Sequence, residues 1–194
     1  MCRGENRMDL PMLKHLHLAL DLVLSDPSAI ALVTTGESRF YSNGLDLAAL
    51  RVYDRAAIAE VGSLFTSLVR RIATFPLPTV AALNGHAFGG GCMLALAHDV
   101  RLMRRDRGWL CVPALALGIR LPSAVLRMAR RKLTPPAATA LLVFGRRISG
   151  LDAYTEPIYA GCLVHFICDP AQLLDQALSL ASSVSSSSGS ASSS

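Results

Sequence analysis

The stretch from Thr79 to Asp99 constrains this chain more than any other. It reads Thr-Val-Ala-Ala-Leu-Asn-Gly-His-Ala-Phe-Gly-Gly-Gly-Cys-Met-Leu-Ala-Leu-Ala-His-Asp. An apolar run of strand length leads into a glycine-rich turn, and an apolar segment of helical character follows. Three consecutive glycines (Gly89, Gly90, Gly91) let the backbone approach another group closely. They also leave unpaired N–H groups at a helix N-terminus, a place suited to a phosphate or a developing oxyanion. A tight strand-to-helix turn that needs small residues accounts for the glycines equally well. Two nucleotide motifs fail here: no Lys follows the glycines, and Leu94 stands where the dinucleotide fingerprint needs its last glycine.

The rest of the chain alternates between strand and helix patterns. Residues 9–24 carry leucines at three- and four-residue steps and predict an amphipathic helix, stopped by Asp26-Pro27-Ser28. Residues 29–34 predict a buried strand, 55–74 a helix, 79–83 and 99–103 two more strands. Helices are expected at 123–132, 136–144 and 170–181, and a strand at 163–167. This order favours one α/β domain, which suits 194 residues. We expect that domain to cover residues 1–181. From 182 to 194, ten of thirteen residues are serine, so this tail has nothing to bury and is expected to be disordered.

Composition excludes several classes. With 52% apolar and 17% charged residues the chain is not intrinsically disordered as a whole. Charge, Pro or Gly interrupts every apolar stretch before membrane-spanning length, so no membrane partner is expected. The formal charge is +5, and between Arg101 and Lys132 nine basic residues face one acid, Asp106. Trp109 is the one aromatic in that span, which argues for a solvated basic face and against nucleic acid. Five scattered cysteines, with no Cys-x-x-Cys pair, read as buried thiols and not as a disulfide or zinc framework. His15 and His17 are two apart on one helix and face different ways, so no metal site is expected. His86, beside the glycine turn, reads as a turn-stabilising residue or a general base. The N-terminus shows no secretory signal, and the last three residues are Ser-Ser-Ser, not Ser-Lys-Leu.

A second motif, Phe40-Tyr41-Ser42-Asn43-Gly44-Leu45-Asp46-Leu47, follows the first predicted strand. Alone it is turn chemistry. Paired with the glycine turn, it offers a second loop whose backbone amide can meet the same carbonyl oxygen. These two motifs, with Pro78-Thr79-Val80-Ala81-Ala82 between them and Leu117-Gly118-Ile119-Arg120-Leu121-Pro122 and Gly145–Gly150 beyond, resemble the crotonase family of enoyl-CoA hydratases and isomerases. Ser-Asn-Gly-Leu-Asp-Leu, with His98-Asp99 and the run from Arg104 to Gly108, is most similar to the plant-type Δ3-Δ2-enoyl-CoA isomerases.

The resemblance implies a crotonase-like spiral of ββα turns, shortened at both ends, and a coenzyme A thioester as substrate. It implies no metal and no cofactor, coenzyme A being part of the substrate. The oxyanion hole carries over to the amides of Asn43 and Gly90, and substrate binding to Ser42, Asn43, Gly44, Leu45, Asp46, Gly89 and Gly90. The family's two glutamates fall on Met93 and Ala114, so neither acid–base group is present. An isomerase-like protein of fatty-acid β-oxidation is therefore expected, or alternatively a non-catalytic acyl-CoA binder or interaction subunit. Family members form homotrimers or hexamers in peroxisomes or mitochondria.

Overall fold

The computed structural model describes residues 4–189. Helix α1 (Leu10–Ser25) starts where Asp9 accepts the Met12 amide at 2.8 Å and Pro11 occupies the first turn. Strand β1 (Leu32–Thr35) and the short strand β2 (Phe40–Ser42) follow. Asp46 caps α2 (Leu47–Leu50), and Asp54 caps α3 (Arg55–Ala73). Strand β3 (Thr79–Leu83) lies where the apolar run predicts it.

The glycine turn differs from the expectation of a direct strand-to-helix passage. A three-residue strand, β4 (His86–Phe88), intervenes before α4 (Gly90–Ala97). Three residues are too few to show a periodicity in sequence, and glycines dominate the surrounding signal. Strands β5 (Val100–Arg104) and β6 (Trp109–Cys111) come next, then α5 (Ser123–Lys132). The helix expected at 136–144 is broken in two. Its first turn, α6 (Pro135–Ala138), widens over Thr139–Val143, where the Phe144 amide reaches back five residues to the Thr139 carbonyl. Strand β7 (Ile148–Ser149), helix α7 (Gly150–Thr155), strand β8 (Phe166–Cys168) and helix α8 (Leu173–Gly189) complete the order.

Two four-stranded sheets result. One is parallel, in the order β1-β3-β5-β8; the other runs β2-β4-β6-β7, with only the last pair antiparallel. The two strands of each successive ββ pair therefore enter different sheets, and the chain winds as a spiral. Strand β3 is buried throughout, and its alternation divides the interior. Ala81 and Leu83 join the main core with α1, α3 and α4, whereas Val80 and Ala82 pack against Leu173, Ala177 and Ala181 of α8. Helix α8 continues to Gly189, so the first serines of the tail extend a helix anchored by those residues, where composition predicts no structure. Residues 190–194 of the expected tail lie outside the described residues.

One buried cation ties the end of the spiral to its middle. Arg101 is 1% exposed and forms no ion pair with a carboxylate among the described residues. Its guanidinium donates to the carbonyls of His98 (2.7 Å), Leu163 (3.0 Å) and Cys162 (3.1 Å). Burial pulls its pKa down to about 10, which leaves it charged at neutral pH.

Candidate active site

The loop after β2 is built on residues that arrive from the N-terminus. Asn6 donates its side-chain amide to the Phe40 and Tyr41 carbonyls (2.9 and 3.1 Å), and its own carbonyl accepts the Ser42 hydroxyl at 2.7 Å. The Asn43 amide donates to the Glu5 carbonyl at 2.8 Å, and its side chain donates to the Glu5 carboxylate at 2.9 Å. This corrects the expectation that the Asn43 amide serves an oxyanion hole, because that donor is already committed within the fold.

The next amide in the right position belongs to Leu45. Met8 bridges Leu45 in parallel: the Met8 amide donates to the Gly44 carbonyl (2.8 Å), and the Asp46 amide to the Met8 carbonyl (3.0 Å). In such a bridge the central residue's own N–H points away from its partner. No group among the described residues accepts the Leu45 amide. The side chains of Ser42 and Asp46, residues expected to line the substrate site, are bonded within the loop. The Ser42 hydroxyl is buried and bonded to Asn6, and the Asp46 carboxylate caps α2 through the Ala48 and Ala49 amides.

Opposite stands the glycine turn. Gly89, at φ +52°, donates its amide to the Cys111 carbonyl at 2.8 Å and accepts the Met93 amide at 3.1 Å. Gly90 is the first residue of α4, so its amide has no intrahelical partner. The two loops abut without side chains between them. A Cβ on Gly44 would lie 2.8 Å from both the Gly90 nitrogen and the Phe88 carbonyl oxygen; one on Gly91 would lie 2.2 Å from the Ser42 carbonyl oxygen. Beneath Gly90 the floor is apolar, formed by Met8 and the ring of Phe65.

Ala114 follows β6 and is buried, its carbonyl accepting the Ile119 amide at 2.8 Å. Met93 is fully buried in the first turn of α4. Neither side chain moves a proton. The carboxylate that does reach the loop is Glu5, which sequence reading left out because it lies 38 residues away. Hydrogen bonds from Asn43 and Arg7 (2.6 Å) hold its pKa below the usual carboxylate range. His86 sits in β4 against Phe40, Phe88 and Trp109, away from the Leu45–Gly90 gap. Asp99 bonds Thr79 at the far end of α4, and Asp106 is held by both Arg104 nitrogens at 2.5 and 2.6 Å. No cluster of His, Cys, Asp or Glu among the described residues is arranged to hold a metal. A mostly apolar cleft of about 580 Å³ lies between α1 and the edge strand β1 and shares Met8 and Ser42 with the loop.

A ββα spiral whose glycine turn presents an unclaimed helix-end amide beside a second loop defines the crotonase class of α/β proteins. The family model described as enoyl-CoA hydratase/isomerase matches residues 3–193, and the chain belongs to that family. It is 38% identical over 137 residues to enoyl-CoA delta isomerase 1, peroxisomal, of Arabidopsis thaliana, covering 70% of this chain and 57% of that protein. A probable enoyl-CoA hydratase of Bacillus subtilis is 31% identical over 180 residues, 91% of this chain and 67% of the relative. Among solved structures, an enoyl-CoA hydratase from Bacillus anthracis superposes with a TM-score of 0.85 at 25% identity, covering 95% of this chain and 69% of that one. DspI of Pseudomonas aeruginosa gives 0.81 at 30% identity, covering 93% and 72%. The chain spans 53–57% of the length of the three Arabidopsis isomerases it matches.

Proposed function

We propose that this chain binds an enoyl-CoA thioester at the gap between Leu45 and Gly90, as an isomerase-type family member without its acid–base carboxylate. The observation that supports this most directly is the pair of backbone amides, Leu45 and Gly90, left without acceptors among the described residues where Gly44 meets the glycine turn. Moving a double bond from the 3- to the 2-position begins with loss of a proton from the carbon beside the thioester carbonyl. The charge then develops on the carbonyl oxygen, and two fixed N–H donors stabilise that enolate. Comparable donors are worth roughly 3 kcal/mol each.

The proton itself needs a carrier that leaves one carbon and returns to another. Ala114 offers a methyl group and Met93 a thioether at the positions the resemblance assigns to carboxylates. Glu5 is a poor substitute, since two donors already hold it ionised and a low pKa makes a weak base. Binding should therefore survive where turnover is slow. We infer peroxisomal fatty-acid β-oxidation as the setting of the parent activity, a reading supported by relatives named as peroxisomal enoyl-CoA delta isomerases.

Isothermal titration with a medium-chain 3-enoyl-CoA tests the binding step, and heat that saturates at one thioester per chain is expected. The chemical step is tested by following the conjugated 2-enoyl thioester by absorbance in the unmodified chain and in Ala114→Glu. A gain of about 10²–10⁴-fold is expected from restoring a carboxylate. A native rate that the glutamate leaves unimproved would refute the lost-base reading.

A further inference from the structure

The basic span from Arg101 to Lys132 holds a single aromatic in sequence, but the fold supplies the missing ones. On the outer face of the second sheet, Phe40 of β2, His86 and Phe88 of β4, and Trp109 of β6 stand side by side. Ring centroids are 5.0 Å apart for Phe40 and His86, 5.2 Å for His86 and Phe88, and 5.2 Å for His86 and Trp109. Arg147 lies over the Phe88 ring at 5.8 Å, and Trp109 is 42% exposed.

Beside His86 and Trp109 opens a pocket of about 320 Å³ whose wall includes Arg39, Arg105 and Arg107, with Asp106 among them. The acids near these arginines are already engaged. Asp106 is held by Arg104, and Asp169 pairs with Arg105 at 3.1 Å. Arg107 meets only the Ser38 carbonyl (3.0 Å), and neither Arg39 nor Arg107 forms an ion pair among the described residues. The Nδ1 atom of His86 is buried with no hydrogen-bond partner. Such an atom is costly to leave unpaired, and the imidazole would have to turn toward the pocket for a ligand polar group to reach it.

We propose that this pocket is a second ligand site, for a small phosphate-bearing compound with a flat ring, of the nucleoside monophosphate kind. Arginine forks match phosphate oxygens in pairs. Indole and imidazole faces accept a planar ring, and exposed aromatics beside arginines favour one further. The volume, near the lower end of ligand pockets, suits a mononucleotide-sized group. The pocket lies where β2, β4 and β6 begin, whereas Gly44 and Gly90 follow their ends. About 10 Å of strand separates the two places. Self-association through this face is disfavoured, since it would bring like arginines together.

Trp109 is the single tryptophan of the chain, so its emission reports on this pocket alone. Adenosine monophosphate should change that emission and saturate, with inorganic phosphate and adenosine each binding at least about tenfold more weakly. Arg39→Gln combined with Arg107→Gln should weaken binding by about tenfold or more while circular dichroism stays unchanged. A saturating enoyl-CoA thioester should leave the Trp109 response in place. The proposal is overturned if adenosine monophosphate leaves the emission unchanged into the millimolar range. Phosphate binding as tightly as the nucleotide, displacement by the thioester, or an emission change that tracks protein concentration by self-association would each overturn it too. None of these outcomes depends on thioester turnover, so its failure leaves the reading of the Leu45–Gly90 gap standing.

Discussion

At the scale of single residues, the meeting of two loops rests on absent side chains. Gly91→Ala would drive a methyl group to 2.2 Å from the Ser42 carbonyl oxygen, a contact that backbone on both sides must move to relieve. Gly62, on α3, has open space where a Cβ would stand. We expect Gly62→Ala to raise stability by about 0.5–1 kcal/mol through helix propensity. Gly91→Ala should lower it by about 1–3 kcal/mol and abolish thioester binding. Urea denaturation of the two variants checks both signs, and a neutral Gly91→Ala would contradict the close approach. The sequence made it legible that the loops at 42–46 and 89–91 act together, because turn residues and glycines recur after two apolar strands. It did not reveal which amide points into the gap. That direction is set by the bridge between Leu45 and Met8 and by Glu5, contacts across more than thirty residues that no local pattern records.

At the scale of elements, legibility followed length. Helices α1, α3 and α5 and strand β3 were readable within a residue or two, since each repeats its apolar pattern over several turns or alternations. The three-residue strands of the second sheet left no period to read, yet they form the aromatic face and carry the glycine turn. Helix α3 matters to that turn through Phe65, which is 2% exposed and stands under Gly90. Phe65→Ala should cost about 3–5 kcal/mol by opening a cavity between α3 and α4. Phe65→Leu should cost much less. Thermal unfolding ranks the two, and equal losses would show that Phe65 is not packed as described.

At the scale of the whole molecule, pH reports on two histidines, one buried and one partly buried. His98 is enclosed, with one ring nitrogen donating to the Leu94 carbonyl at 2.9 Å and the other accepting from the Thr34 hydroxyl at 2.9 Å. Burial holds its pKa down to about 4. Partial burial, with Arg101 and Lys132 nearby, does the same for His165, also to about 4. Near neutral pH both histidines are neutral imidazoles in the folded chain. Between about 6.5 and about 4 the unfolded chain binds protons that the folded one refuses, so stability falls as pH drops through that window. The loss from His98 is on the order of a few kcal/mol. Urea midpoints should fall between pH 7.5 and pH 5, and His98→Gln should flatten the slope; a pH-independent midpoint would contradict the buried neutral imidazole. Arg101 has a further consequence, for the order in which the chain can be completed. Its guanidinium is solvated by water until residues 162 and 163 deliver their carbonyls from more than sixty positions downstream. A nascent chain that stops short of them must either keep water in the middle of its sheet or bury a bare cation, and neither is a stable interior. The spiral therefore closes from its end, like a coil fastened by its last clasp. Chains terminated at residue 160 should stay protease-sensitive throughout, whereas chains terminated at residue 184 should yield a resistant core.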